Sequence, residues 1–318
     1  MSSGEFLRIS GLCAGYGGEI AVADISFNLA RGEILCVVGE SGCGKSTLLK
    51  AILGMDSALC IPAGTVTLEG TELTSLAEKE RRKLAVRRIG MVFQDPGSAF
   101  NPIRSYRRQF IETLRSRGLY DPSAFEGQAA QALGKLGLED CKRILGSCPY
   151  EMSGGMNQRI ALALALLLGQ DLLLADEPTS ALDATVQLQV AKELLRLREE
   201  SGITQIIVTH NLALAEFLGD RIAVLYGGRL VELGPAKAVA AEPRHPYTWS
   251  LMAAIPTLDG KLPAPLPGQP PLGGPAKAGC EFAPRCPRAS EKCRSAQYAL
   301  SDGGNGHFSA CCREGGAL

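Results

Sequence analysis

The spacing of apolar positions predicts an α/β fold in which strands and helices alternate along the second half of the chain. Short, continuous apolar runs in this half are typical of strands covered on both faces, and stretches with helical spacing separate them. The predicted strands are 171–175, 204–208, 221–225 and 229–233, and the predicted helices are 184–200 and 211–218. Helices of this length between strands favour a mostly parallel sheet with crossover connections.

The first 55 residues carry a different pattern, in which short β-type runs are separated by glycines. These runs are 7–9, 21–29 and 34–38, and only the last is continuously apolar, as expected of a central strand. A glycine-rich segment follows it directly, and residues 46–53 are good helix formers. The region therefore predicts an N-terminal antiparallel β subdomain that leads into a strand, a loop and a helix.

Residues 96–160 lack the strand-like runs seen on either side. Helical patterns occur instead at 107–117, 123–138 and 156–168. We therefore predict a helical subdomain, at about 96–160, inserted in the α/β core.

The last quarter of the chain differs in composition from the rest. Proline-rich residues 263–271 are typical of a stiff linker, and five of the eleven cysteines lie between residues 280 and 312. This change predicts two domains, a core of 1–242 and a small Cys-rich C-terminal domain of 243–318.

Charge and hydropathy argue against a nucleic-acid-binding protein and against a membrane-spanning or secreted one. The 318 residues include 33 basic and 33 acidic side chains, so no basic excess indicates a nucleic-acid partner. The longest apolar run, 160–169, is too short to cross a bilayer, and residues 1–5 lack the cationic and apolar parts of a signal peptide. We expect a cytosolic chain that reaches a membrane only through partner subunits.

Residues 39–47, GESGCGKST, fit the phosphate-loop template G-x-x-x-x-G-K-[ST], with a strand before them and a helix after them. The glycines let backbone N–H groups converge on phosphate oxygens at a helix N-terminus. Lys45 is expected to neutralise charge between the β- and γ-phosphates, and the Ser46 hydroxyl to take one position on Mg²⁺. The residues expected to hold nucleotide here are Gly39, Ser41, Gly42, Cys43, Gly44, Lys45, Ser46 and Thr47.

Two carboxylates follow the apolar strand 172–175. Asp176 lies at the strand tip, where it can hold Mg²⁺ through water, and Glu177 is the natural general base that polarises the attacking water. Alone, such a pair is also typical of a solvated strand end. Together with a phosphate loop, it indicates ATP hydrolysis.

These segments, in this order, resemble the ATP-binding subunits of ABC transporters over residues 5–240. Residues 152–158, MSGGMNQ, are similar to the family signature usually written LSGGQ, with Met152 and Met156 in place of its Leu and Gln. A serine and two glycines at a helix N-terminus suit a second anion site, which in this family meets the γ-phosphate bound by the opposite subunit. Its residues here are Ser153, Gly154 and Gly155. The resemblance implies a RecA-like P-loop NTPase core.

Further roles are implied by this resemblance. Gln94 corresponds to the lid glutamine that reaches Mg²⁺ and water, and His210 to the switch histidine that contacts the γ-phosphate. Tyr16 lies where the family places an aromatic ring against adenine, and residues 180–183 resemble the loop that contacts the opposite subunit. Since Glu177 and His210 are both present, this half-site is expected to be catalytically complete.

A narrower resemblance indicates the cargo. Residues 95–102, DPGSAFNP, and 244–248, RHPYT, are similar to segments of oligopeptide and dipeptide importer ATPases, and the second opens the C-terminal extension of the peptide and nickel branch. His245 within it favours a packing corner over a metal ligand. The implied function is ATP hydrolysis that powers import of di- or oligopeptides. Nickel or metallophore import by the same branch is the alternative, and a non-transport ATPase of the superfamily is a third.

The resemblance also implies cofactors, partners and a location. ATP and Mg²⁺ are expected, with the metal held by Ser46, Gln94 and Asp176. The chain is expected to pair with a second, paralogous ATPase subunit beneath two transmembrane permease subunits, served by an extracytoplasmic substrate-binding protein. Its location would be the cytoplasmic face of the inner membrane.

The C-terminal cysteines are candidate metal ligands. Their intervals of five, six and seventeen residues fit neither a zinc ribbon nor a ferredoxin, although clustered thiols in a cytosol favour a metal over disulfides. Residues 279–287, GCEFAPRCP, resemble the importer extension, and some members of that branch carry a [4Fe–4S] cluster on such cysteines. His307 favours Cys311 over Cys312 as the last ligand, and zinc and unliganded thiols stay open. The expected ligands are Cys280, Cys286, Cys293 and Cys311.

Overall fold

The computed structural model describes most of the chain, namely residues 5–94, 100–179, 184–254, 266, 268–269, 271, 274–276 and 278–312. Three predicted features fall wholly or mainly outside these residues. They are the start of the segment 95–102, the loop 180–183 and the proline-rich linker 263–271.

The strands are β1 (Glu5–Tyr16), β2 (Glu19–Ala30), β3 (Ile34–Val38), β4 (Leu59–Leu68), β5 (Thr71–Glu72), β6 (Ile89–Val92), β7 (Leu172–Asp176), β8 (Thr204–Thr209), β9 (Arg221–Tyr226), β10 (Arg229–Pro235), β11 (Ser301–Asp302) and β12 (Phe308–Ser309). The helices are α1 (Lys45–Leu53), α2 (Glu78–Arg88), α3 (Tyr106–Ser116), α4 (Phe125–Lys135), α5 (Cys141–Gly146), α6 (Gly154–Leu167), α7 (Ala184–Ser201), α8 (Leu212–Leu218), α9 (Ala236–Ala241), α10 (Pro246–Ala253) and α11 (Glu291–Ser295), and Pro149–Glu151 forms a 3₁₀ turn.

The largest differences from the prediction made from sequence concern β1, β4 and α2, and the shorter elements β5, α5, α9, α10, α11, β11 and β12 were not predicted either. β1 continues through Gly11, because register shifts against β2 between Ile9 and Leu12 accommodate this glycine at φ 57°. β4 contains a proline and a glycine, and α2 is mostly charged with its apolar residues in one short run, so neither carries an apolar period that sequence reasoning can detect. The other predicted helices and strands form within a few residues of their expected bounds.

Contacts divide the chain into two units, one of residues 1–76 and 208–318 and the other of residues 77–207. β8 begins in the second unit and ends in the first. The Cys-rich extension groups with the N-terminal strands in the first unit, so a separate C-terminal domain is not confirmed.

An antiparallel sheet in the order β2-β1-β4-β5 begins the first unit, as predicted. Leu7 pairs with Leu29 and Ile9 with Phe27, and all four side chains are buried. Burial of such alternating apolar pairs fixes the register of the sheet, because a shift by one residue would expose them.

A second group of strands in the first unit follows the order β11-β12-β10-β9-β3. β3 and β9 are parallel, but β9 and β10 are antiparallel because Gly227 and Gly228 join them in a tight hairpin turn. The sheet that the sequence predicts to be mostly parallel is therefore mixed in this unit.

A buried carboxylate fastens the C-terminal extension to β10. Glu232 accepts hydrogen bonds from the backbone N–H groups of Arg244 and His245, both at 2.8 Å, and its Oε1 lies 2.6 Å from His307 Nε2. Burial of an unpaired carboxylate is costly, so these partners are what make the position tolerable. His307 is thus hydrogen-bonded to Glu232. In the sequence, this histidine is the reason to prefer Cys311 over Cys312 as the last metal ligand.

The second unit contains the parallel pair β6 and β7, with β8 beside β7, and the predicted helical subdomain. Phe100, Tyr106 and Phe110 form an aromatic cluster between the helices. The Tyr106 hydroxyl hydrogen-bonds Asn157 of α6, whose Nδ2 donates to the carbonyl of Pro149 at 3.2 Å. This network fixes the start of α6, which carries the predicted second anion site.

Among the helices in the described ranges, none is both long enough and apolar enough to span a bilayer.

His245 gives the fold a testable pH dependence. It caps α10 through Nδ1, which accepts from Tyr247 N at 3.1 Å, and burial lowers the pKa of the imidazole to about 4. The unfolded chain, with an imidazole pKa of about 6.5, therefore binds a proton that the folded chain lacks, and stability falls as the pH drops from above that value. Between about pH 7.5 and about pH 5 this group should remove about 2 kcal/mol from the free energy of unfolding.

The measurement is urea unfolding at both pH values, followed by the fluorescence of Trp249 on α10, the one tryptophan of the chain. His245→Asn keeps a capping oxygen but has no titrating ring, so its loss of stability on acidification should be smaller. An equal loss in both proteins would contradict the assignment.

Candidate nucleotide-binding site

The predicted phosphate loop lies between β3 and α1, in the first unit. Gly44 caps α1 with φ 102°, and a Cβ at this position would lie 2.5 Å from Val22 Cγ1 and 3.0 Å from the carbonyl oxygen of Ala21. Only glycine fits both the backbone angle and the space. The loop thus turns its backbone directly into the N-terminus of a helix, the arrangement that favours anions.

Lys45 closes this loop. Its side chain is buried, and Nζ donates to the carbonyl oxygens of Gly39 at 2.8 Å and Glu40 at 2.9 Å. Phosphate oxygens are stronger, charged acceptors for the same ammonium group. The predicted contact of Lys45 with phosphate would replace these two loop carbonyls.

Two other parts of the first unit contact the loop. Gly228 N, in the hairpin between β9 and β10, donates to Cys43 O at 3.1 Å. Cys43 itself is buried, and burial raises the pKa of its thiol, so the residue is a neutral packing group. Glu40 contacts the C-terminal extension through its side chain and its backbone, a link that the sequence did not predict.

Tyr16, the predicted adenine-stacking residue, ends β1. Its hydroxyl hydrogen-bonds Asp56 Oδ2 at 3.1 Å, and Lys50 Nζ lies 5.8 Å from its ring centre. Burial and the Asp56 carboxylate raise the pKa of the phenol. These contacts hold the ring at the strand end, and its role against adenine stays a prediction.

The predicted catalytic carboxylates lie in the second unit. Asp176 is the buried last residue of β7, and Glu177 follows at φ 45°. A glutamate in the left-handed region is uncommon, and such local strain is found most often at functional positions. Gln94 is exposed and follows β6, which is parallel to β7, so Gln94 and Asp176 leave the same edge of the sheet.

Ser153, at the predicted second anion site, is exposed and caps the fourteen-residue helix α6. Its hydroxyl accepts from Met156 N at 3.3 Å. Gly154 and Gly155 form the first turn, and a Cβ on Gly154 would meet no atom within 4 Å. The helix N-terminus is therefore open to an approaching anion.

His210 follows directly after β8 and is exposed. Asn211 then caps α8 by accepting from Leu214 N at 3.1 Å. This cap ends the strand and begins the helix around His210, which leaves the imidazole at the strand tip. The predicted dimer-contact loop, 180–183, lies outside the described residues.

The C-terminal thiols surround one small cavity of about 20 Å³. The Sγ atoms of Cys293 and Cys312 are 3.7 Å apart, so the thiol of Cys312 contacts that of Cys293. The sequence favours Cys311 over Cys312 as the last metal ligand. Burial raises the pKa of Cys280 to about 11 and also raises that of Cys286. The cysteines that line the cavity are Cys280, Cys286, Cys293, Cys311 and Cys312.

Thiols are suitable donors for iron–sulfur clusters and zinc. However, within the described part of the chain, no three His, Cys, Asp or Glu side chains are grouped as a metal ion would need. The donor chemistry fits a thiophilic metal, and the arrangement is not that of a preformed site. Among the described residues the structure therefore shows no preformed [4Fe–4S] site, and this expectation is not confirmed.

A phosphate loop at a strand–helix junction, an acidic strand end and a serine-glycine helix start define a P-loop ATPase of the cassette type. The family model for ABC transporters matches residues 22–180, and the model for the C-terminal region of oligopeptide/dipeptide transporters matches residues 231–293.

Individual proteins agree with these matches. The chain is 41% identical over 294 residues to a probable peptide ABC transporter ATP-binding protein of Sinorhizobium fredii, y4tS, covering 92% of this chain and 82% of the relative. It is 39% identical over 278 residues to the oligopeptide transport ATP-binding protein OppD of Haemophilus influenzae, covering 87% and 86%. The ATP-binding cassette MJ0796, solved as a post-hydrolysis dimer with ADP and phosphate, superposes with a TM-score of 0.64 at 28% identity, covering 72% of this chain and 98% of the cassette. The chain belongs to the ABC transporter family, as an ATP-binding protein.

Proposed function

We propose that this chain hydrolyses ATP to power the import of di- or oligopeptides through a membrane transporter complex. The observation that carries the cargo assignment is the match of residues 231–293 to the C-terminal region of oligopeptide/dipeptide transporters. The names of the two relatives, a peptide ABC transporter protein and an oligopeptide transport protein, support it further.

In this proposal the phosphate loop holds the β- and γ-phosphates with its backbone N–H groups. Lys45 leaves the carbonyls of Gly39 and Glu40 and donates to the phosphates instead, which supplies charge where it develops during phosphoryl transfer. The hydroxyl, amide and carboxylate oxygens of Ser46, Gln94 and Asp176 are ligands that suit Mg²⁺. When bound, Mg²⁺ would neutralise charge on the transferring phosphoryl group.

Glu177 is proposed to polarise the attacking water, and its φ of 45° supports a constrained catalytic position. His210 would contact the γ-phosphate, Gln94 would reach the water, and Tyr16 would pack against adenine. Removal of the proton from water then depends on a carboxylate held at a fixed strand end, as general-base catalysis requires.

The second anion site is proposed to serve a nucleotide on another subunit. Ser153 is exposed at an open helix N-terminus, which supports binding of a γ-phosphate from outside the chain. The dimeric state of the MJ0796 cassette supports the same arrangement. We propose a paralogous ATPase as that subunit, two permease subunits at the cytoplasmic face of the inner membrane, and a substrate-binding protein outside, with no nucleic-acid partner.

A metal at the C-terminal cysteines is a separate proposal, with a [4Fe–4S] cluster as the first candidate and zinc as the second. What supports it is the convergence of five thiols on one cavity. Because the thiols are not preformed as ligands, loading would require their side chains to move. Any such group would be structural or regulatory, since the proposed reaction transfers no electrons.

Variants of the phosphate loop and the acidic pair test the ATPase assignment. Lys45→Ala should weaken ATP binding, because the loop loses its only cation. Glu177→Gln should still bind ATP but lower kcat of the assembled complex by about 100-fold or more, the usual size of general-base catalysis, and hold the subunits in a closed dimer. The measurements are nucleotide binding, ATPase rate and the size of the complex with ATP.

Normal turnover by Glu177→Gln would exclude this residue as the general base. Glu216→Gln, a change on the short helix α8, is the matched control and should retain the wild-type rate.

The metal proposal is tested on full-length protein purified without oxygen. A cluster should give a brown protein with bound iron and sulfide, and Cys280→Ser should lose both, whereas Cys60→Ser on β4 should keep them. Comparing Cys311→Ser with Cys312→Ser identifies the last ligand. Bound zinc without iron would replace the first candidate by the second, and the absence of any bound metal would overturn the proposal.

A further inference from the structure

Glu40 is the one acidic residue of the phosphate loop 39–47. A carboxylate in a loop that has to receive a triphosphate is unfavourable, because like charges at short range repel. Glu40 is also central to the loop, since its own carbonyl oxygen accepts from Lys45 Nζ at 2.9 Å and from Cys43 N at 3.3 Å. The direction of its side chain therefore affects both the charge and the shape of the site.

Arg285 of the C-terminal extension binds this carboxylate. Its Nη1 and Nη2 donate to the two oxygens of Glu40 at 2.6 and 3.0 Å, in the two-pronged geometry that arginine and carboxylate favour. The Arg285 side chain is 5% exposed and that of Glu40 24% exposed, so water screens the pair less than a surface pair. The pair joins residues 245 positions apart in the chain.

The arginine is itself fixed in place. Its Nη1 also donates to the Tyr226 hydroxyl at 3.2 Å, and Tyr226 packs against Tyr247 and Phe282 with ring centres 4.4 and 5.2 Å away. The Tyr247 hydroxyl accepts from Glu40 N at 2.9 Å. The C-terminal extension thus binds Glu40 twice. Arg285 binds its carboxylate, and Tyr247 accepts a hydrogen bond from its backbone N–H.

We propose that Arg285 is a positioning residue of the ATP site, which neutralises Glu40 and keeps its carboxylate away from the bound triphosphate. Arg285 acts through Glu40 and touches no reacting atom. The cysteine-bearing extension thereby becomes part of the ATP site, since Arg285 lies next to Cys286 and the backbone of Cys280 is hydrogen-bonded to that of Cys293. This inference rests on the proposed function, in that the loop must bind ATP.

The test measures Mg-ATP binding to the purified full-length chain, and KM and kcat of the assembled complex. Arg285→Met should weaken ATP binding and raise KM roughly tenfold with little change in kcat, because the repulsion acts on bound ATP before and during the reaction. Glu40→Gln should bind ATP at least as tightly as the wild type.

The double variant Glu40→Gln/Arg285→Met decides the mechanism. Once the carboxylate is removed, Arg285 has no charge to neutralise, so the double variant should bind ATP nearly as tightly as Glu40→Gln. A purely structural role for Arg285 would leave the double variant as weak as Arg285→Met, and that result would overturn the proposal.

Arg244→Met is the matched control. Arg244 also ties the C-terminal tail to the unit, through its Nη1 and the carbonyl oxygen of His307 at 2.5 Å, but it does not contact the phosphate loop. It should leave ATP binding unchanged, and weakening equal to that of Arg285→Met would contradict the proposal.

A conservative variant provides a second test. Arg285→Lys keeps the charge and should weaken ATP binding only about twofold to threefold; it replaces Arg285→Met if that variant folds poorly. A wild-type chain that binds no ATP would refute the proposed function, whereas wild-type binding matched by Arg285→Met would refute only this inference.

Discussion

The close packing of the phosphate loop sets the geometry of the candidate site. A loop that binds a triphosphate has to turn consecutive N–H groups inwards, and this leaves no room for a Cβ at Gly44 beside Val22. β3 fixes where the loop begins and α1 fixes where it ends. Lys45 closes the loop between them by donating to the carbonyl oxygens of Gly39 and Glu40, the contacts that phosphate is proposed to replace.

The C-terminal extension is attached to this core at two charged points. Glu232 on β10 is buried with three donors, two of them backbone N–H groups at the start of the extension. Glu40 in the loop is held by Arg285 and Tyr247. The first contact fastens the extension to β10, and the second connects it to the phosphate loop. This explains in physical terms why contacts group the extension with the N-terminal strands.

Sequence alone predicted the parts that depend on local pattern. β3, α1 and α7 follow from continuous apolar runs and helix formers, and a motif in its required context locates the loop between β3 and α1. It missed β4 and α2, which have no apolar period. It also missed the pair of Glu40 and Arg285, because no spacing rule relates residues so distant in the chain. The one indication in the sequence was Glu40 itself, because a carboxylate inside a phosphate loop needs a cationic partner to offset its repulsion of phosphate.

ATP hydrolysis by this chain is proposed to drive peptide import. The most direct test is the uptake of labelled di- and oligopeptides, beside labelled nickel, in cells that carry the wild-type chain or Lys45→Ala. We expect Lys45→Ala to abolish peptide uptake and to leave nickel uptake intact. Loss of nickel uptake with peptide uptake retained would contradict it.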